Sequence, residues 1–132
     1  MQIRKETLDK FAEARLLEQM TDLVLESVPS EWKMPRDVAQ KVAAHAILTA
    51  RTYRLTTERN IANFALNMLK VNPDFHRQRK IHHILTDPKL PESERIRNLT
   101  VDATKEDWEE ASKMTDAAKY WTNVLHAAGM PL

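Results

Sequence analysis

Apolar residues recur at the spacing of a helix face through the first half of the chain. The first stripe predicts a helix from about Thr7 to Val28 and consists of Leu8, Phe11, Leu16, Met20, Leu23 and Val24. A second helix is predicted from Pro35, which suits a first helical turn, to about Tyr53. Thr57 is expected to cap a third helix that ends before Pro73 and buries Ile61, Phe64, Ala65, Met68 and Leu69.

The second half of the chain predicts shorter helices. A fourth helix is expected around Arg79 to Leu85, and Pro91 opens a fifth that contains Ile96 and Leu99. A capping pair, Thr104 and Asp107, precedes one final helix that runs to about Ala127 and buries Trp108, Ala111, Thr115, Ala118, Trp121 and Leu125. The pattern leaves open whether the fifth and sixth helices are continuous.

The composition favours helices over strands. The 132 residues include a single glycine, Gly129, whereas hairpin turns and bulges use glycine repeatedly. The length fits one domain, residues 1–132, and 42% hydrophobic residues are enough to fill one core. We therefore predict an all-α fold, a compact bundle of five or six helices around a single core. The residues expected to meet in that core are Phe11, Leu23, Phe64, Met68, Ile84 and Leu99.

Charge is unevenly distributed along the chain. The net charge is only +1, but residues 31–90 carry +6 between ends of −2 and −3, and four of the five histidines lie in that middle. This polarity suits an electrostatically complementary protein partner, or packing of the acidic ends on the basic middle.

No catalytic or cofactor chemistry is predicted. His76, His82 and His83 lie near Asp74, but no pair of them has the i, i+4 spacing of helical zinc ligands. The chain has no cysteine, no glycine-rich phosphate loop and no nucleophile elbow, and its paired carboxylates look like solvated faces. The sequence therefore predicts neither an enzyme nor a metal or cofactor site.

A protein partner is the expected ligand, and a proline-flanked loop and the basic middle are its expected contacts. The predicted partner-binding residues are Trp32, Arg51, Arg54, Arg77, Arg79, His82 and His83. The alternative to a protein-binding module is a nucleic-acid-binding regulator, in which the same arginines would contact backbone phosphates. We expect a cytoplasmic protein without a membrane contact, because no signal sequence or apolar run of membrane length is visible, and homo-oligomerisation is left open.

Several segments together resemble those of one protein family. They are Met1-Gln2-Ile3-Arg4-Lys5 leading to Phe11, Thr57-Glu58-Arg59-Asn60-Ile61, Met68, Asn72-Pro73-Asp74-Phe75, Ile84-Leu85-Thr86-Asp87-Pro88 and Arg95-Ile96. With these segments the chain resembles small helical proteins encoded beside type VI secretion effector genes in Proteobacteria. The resemblance implies a co-chaperone that helps an effector chaperone hold a toxin for loading, or a cognate immunity protein. It assigns no functional residue.

Overall fold

The computed structural model describes residues 5–130, apart from the side chains of Leu8 and Trp32. Among these residues there are seven α-helices and no strand. The helices are α1 (Lys5–Ser27), α2 (Arg36–Thr52), α3 (Glu58–Lys70), α4 (Arg79–Leu85), α5 (Glu92–Val101), α6 (Lys105–Ala111) and α7 (Ala117–Ala127). The predicted all-α class is confirmed and the predicted number of five or six helices is wrong. One domain around a single core stays a prediction.

The extra helix arises because the predicted final helix is broken in two. α6 begins as predicted, where Thr104 and Asp107 form a reciprocal capping box. It ends at Ala111, and the Asp116 side chain then accepts a hydrogen bond from the Lys119 backbone N–H at 3.0 Å to start α7. Asp116 is a favourable N-cap residue because its carboxylate satisfies an unpaired N–H of the first turn.

The first three helices pack against one another, and the apolar stripe of α3 lies at the centre of the buried residues. Phe64 is 0% exposed and contacts Phe75 with ring centroids 5.0 Å apart. Met68, Ile84 and Leu99 are buried as predicted, and Leu23 is partly buried. The predicted N-cap of α3 is also confirmed, because the Thr57 hydroxyl accepts from the Asn60 backbone N–H at 3.2 Å.

The predicted burial of Phe11 is wrong, because its side chain is 65% exposed. Every residue from Lys5 to Arg15 whose side chain is described is exposed, and burial in α1 begins at Leu16. The apolar stripe is therefore longer than the surface that α2 and α3 offer to it. α1 has 23 residues, yet neither it nor any other described helix has the length and apolarity needed to cross a bilayer.

Two polar side chains of α5 fix this helix to the elements around it. Arg95 is 4% exposed and donates from Nη1 to the carbonyl oxygens of Tyr53, at 2.7 Å, and Leu85, at 2.6 Å. These carbonyls lie at the C-terminal ends of α2 and α4, where helices leave acceptors without an intrahelical partner. One buried guanidinium thus satisfies two helix ends, and α5 sets the position of α4.

Glu92, at the start of α5, binds the N-terminal end of α3. Its carboxylate accepts from the backbone N–H groups of Thr56 and Thr57 at 3.0 Å and from the Asn60 amide at 2.8 Å. Partial burial would raise the pKa of Glu92, but these hydrogen bonds, with one from the Thr56 hydroxyl, outweigh it and lower the pKa to about 2. A carboxylate is favoured here because the N-terminal end of a helix carries partial positive charge.

Candidate partner-binding surface

Helix α4 presents a basic face to solvent. Its apolar residues, Ile81, Ile84 and Leu85, are buried, while the residues between them are exposed. We call the exposed set the basic face; it consists of Arg77, from the 3₁₀ turn before α4, and of Arg79, Lys80, His82 and His83. The structure thus brings four predicted contact residues, Arg77, Arg79, His82 and His83, to one stretch of surface.

A cleft of about 690 Å³ separates the basic face from α6. Arg79, Lys80, His82 and His83 line one wall, and Asp107 and Glu110 line the other. The two walls are tied together at one point, because the buried amide of Gln78 donates to Asp107 Oδ1 at 3.2 Å. Gln78 also caps α4, since its side-chain oxygen accepts from the Ile81 backbone N–H at 2.9 Å.

The carboxylate of Asp107 is occupied by its own helix. It accepts from the Thr104 backbone N–H at 2.9 Å as part of the capping box. This backbone hydrogen bond lowers the pKa of Asp107 against the opposing effect of desolvation, and the hydrogen bonds from the Thr104 and Gln78 side chains and the charge of Lys80 lower it further. The Asp107 carboxylate is therefore held in place by α6, and its hydrogen bond from Gln78 connects it to the start of α4.

Arg51 and Arg54 do not join the basic face in the cleft. Both oxygens of the Glu13 carboxylate bind the Arg51 guanidinium, with 2.9 Å between Nη1 and Oε2, so the charge of Arg51 is balanced within the chain. Arg54 is exposed in the turn after α2, at a left-handed φ of 58°. The seventh predicted contact, the Trp32 side chain, lies outside the described residues.

Behind the basic face, a chain of hydrogen bonds leads into the core. The Tyr53 hydroxyl lies 2.7 Å from His76 Nδ1 and 3.3 Å from His82 Nδ1. His76 is 7% exposed, and burial lowers its pKa to about 4 despite the nearby Asp74. Its Nε2 atom has no hydrogen-bond partner among the described residues. His76 is therefore a neutral core residue at pH 7 and adds no charge to the basic face.

Within residues 5–130, no group of three or more His, Asp or Glu side chains is placed to hold a metal ion. Sequence reasoning missed Tyr53 and Gln78 as parts of the region around the basic face and considered His76 only as a metal ligand. The position of Gln78 immediately before α4 is a local signal for its role as a helix cap. Its contact with Asp107 has no local signal, because it joins residues 29 positions apart.

No protein-family model, curated protein or solved structure matches this chain.

Proposed function

We propose that this chain is a non-catalytic protein-binding module whose basic face contacts an acidic surface of its partner. The observation that carries the proposal is that Arg77 and Arg79 of this face are exposed and form no ion pair with the described acidic side chains. The described residues contain two ion pairs, Arg36 with Asp22 and Arg51 with Glu13, and neither includes the basic face. Exposed, uncompensated charge accelerates association with a surface of opposite charge.

The arrangement of the cleft favours a protein over a nucleic acid. Asp107 and Glu110 line the wall opposite Arg79, where they would repel a phosphate backbone. Arg51 is already neutralised by Glu13, which removes one of the four arginines that a phosphate contact was expected to use. A protein segment, unlike a phosphate backbone, can carry acidic groups that contact α4 and basic or neutral groups that contact α6 within a few residues.

The resemblance to proteins encoded beside type VI secretion effectors supports a finer proposal. In this proposal the chain is a co-chaperone in the cytoplasm, and its partner is an effector or the effector's dedicated chaperone. A cognate immunity protein is the alternative within the same class, because it also acts by covering a partner's surface. The two differ in outcome, since a co-chaperone leaves the toxin competent for delivery and an immunity protein blocks its activity.

The test is a double charge reversal on the basic face, Arg77→Glu with Arg79→Glu. Because both side chains are exposed, stability should change by less than about 0.5 kcal/mol per site. The variant is mixed with the purified proteins that the neighbouring genes encode, and association rates are measured at low and moderate salt. We expect a slower association rate and a weaker salt dependence than for the unchanged chain.

The matched control is Arg59→Glu with Arg97→Glu, which changes the net charge equally on the surface between α3 and α5. It should associate nearly as the unchanged chain does. Equal rates for the two double variants would remove the basic face from the interface. Tight binding of a DNA or RNA duplex, with a steep loss of affinity as salt rises, would instead favour the nucleic-acid-binding regulator.

A further inference from the structure

A cavity of about 470 Å³ lies beneath α7, on the side of the molecule formed by the C-terminal end of α1. Its floor consists of Val24 and Val28 of α1, Val42 of α2 and Leu69 of α3. Trp121 and Leu125 of α7 also line it, and it opens to solvent at Pro29, Ala117 and Ala118, which are exposed. Sites for small molecules are clefts or cavities of about 300 to 1,000 Å³ that are lined mostly by apolar side chains. This cavity has the size of a ligand site.

The lining of the cavity is uncharged throughout, although 30% of the chain is charged. Ser27 and Trp121 are the lining residues whose side chains carry an N–H or O–H group, and the Ser27 hydroxyl already donates to the Leu23 carbonyl oxygen at 2.7 Å. A charged occupant would lose its hydration without gaining an ionic partner, which is strongly unfavourable.

The contacts of α7 explain why the space remains open. On its α2 side the helix is held by a hydrogen bond of 2.6 Å between His45 Nε2 and the Tyr120 hydroxyl. The Trp121 ring also meets the His45 ring edge-on, with centroids 5.8 Å apart. These contacts hold α7 on one side, while Ala117 and Ala118, which are exposed at the mouth of the cavity, are too small to cover it.

We propose that this cavity binds one small, uncharged, apolar molecule, such as a medium-length aliphatic alcohol or a compound of two or three aromatic rings. The Ser27 hydroxyl oxygen keeps free lone pairs, so a single hydroxyl or N–H donor on the ligand has an acceptor there. The site is separate from the basic face and does not depend on the proposed protein partner.

The experiment uses the full chain and the uncharged fluorophore N-phenylnaphthylamine. We expect saturable binding of one molecule per chain, with quenching of tryptophan emission as the ligand approaches Trp121. Dodecanol should displace the fluorophore, and dodecanoate, which has the same chain length with a charge, should displace it at least about tenfold less well at pH 8.

Ala118→Leu adds apolar volume at the cavity mouth and should weaken binding by about tenfold or more. The matched control is Ala127→Leu, an exposed position of the same helix that does not line the cavity, and it should bind as the unchanged chain does. Ala117→Leu is a second filling variant if the first proves unstable in thermal melts.

Four results would overturn the proposal. The first three are the absence of saturable binding by the unchanged chain, equal affinity of both filling variants and the control, and equal displacement by dodecanoate and dodecanol. Release of a self-associated form by the fluorophore, seen by sedimentation, would also overturn it, because the cavity would then be covered by a second copy of the chain. None of these results bears on the charge-reversal test of the basic face.

Discussion

The middle of the chain, from Tyr53 to Leu99, and the first half of α1 are held in different ways. In the middle, buried apolar side chains are combined with polar groups that connect helix ends, as Arg95 and Glu92 do. From Lys5 to Arg15, every described side chain is exposed, and the ion pair of Glu13 with Arg51 is the one ionic contact that this segment makes among the described residues.

This difference indicates how stability is distributed. Loss of a buried contact in the middle disturbs several helices at once, because α5 contacts the C-terminal carbonyls of two helices and the N-terminal end of a third. The first half of α1 depends on its own helix propensity and on an exposed ion pair, and such pairs contribute little. We therefore expect large effects of mutation in the middle and small effects in the first half of α1.

The largest effect is expected for Phe64→Ala. The side chain is fully buried between Tyr53 and Phe75, so truncation leaves a cavity and should lower the free energy of unfolding by about 3 to 5 kcal/mol. Denaturant melts of the variant and of Asn63→Ala, an exposed neighbour on α3, measure the difference. A loss below about 1 kcal/mol would mean that α3 does not face the core.

The parts of the structure that sequence reasoning predicted are those with local signals. Helical spacing placed the stripe of α3, and the caps at Thr57 and Thr104 followed from residue type and position. α4 has the predicted bounds, Arg79–Leu85. In contrast, periodicity predicted one final helix, whereas the chain ends α6 at Ala111 and begins α7 at Ala117 after the N-cap Asp116.

The same reasoning could not find contacts between distant residues. His45 and Tyr120 are 75 positions apart, and Arg95 binds the carbonyl of Tyr53 across 42 positions. Arginine is usually exposed, so nothing in its immediate neighbours marks Arg95 as buried. Periodicity also could not show that the apolar stripe of α1 extends beyond the helices that pack against it. It therefore predicted the burial of Phe11, which is exposed.

An intermediate, pH-dependent effect is expected for Glu92→Gln. The pKa of Glu92 is about 2 in the folded chain and 4.5 as the ordinary value, so its contribution is present above about pH 5 and is lost as the pH falls toward 2. Because the group is only partly buried, we expect a loss of about 1 to 2 kcal/mol at pH 7.

Denaturant melts from pH 7 to pH 2.5 measure this effect, and the stability of the variant should converge with that of the unchanged chain at the acidic end. Glu94→Gln is the control, because Glu94 is exposed on the same helix and should shift stability little at any pH. A constant difference across the range would show that Glu92 acts through packing and not through its charge.

The smallest effect is expected for Phe11→Ala, although phenylalanine truncations in cores are among the most damaging substitutions. The ring is already 65% exposed, so its removal costs little buried area and should change the free energy of unfolding by less than about 0.5 kcal/mol. Leu16→Ala, on the same helix and 5% exposed, is the matched control and should cost about 2 kcal/mol or more. A loss of more than 1 kcal/mol for Phe11→Ala that grows with protein concentration would mean that a second copy covers the first half of α1. The same loss without concentration dependence would mean that this half packs on its own chain, and the contrast between the two regions would then fail.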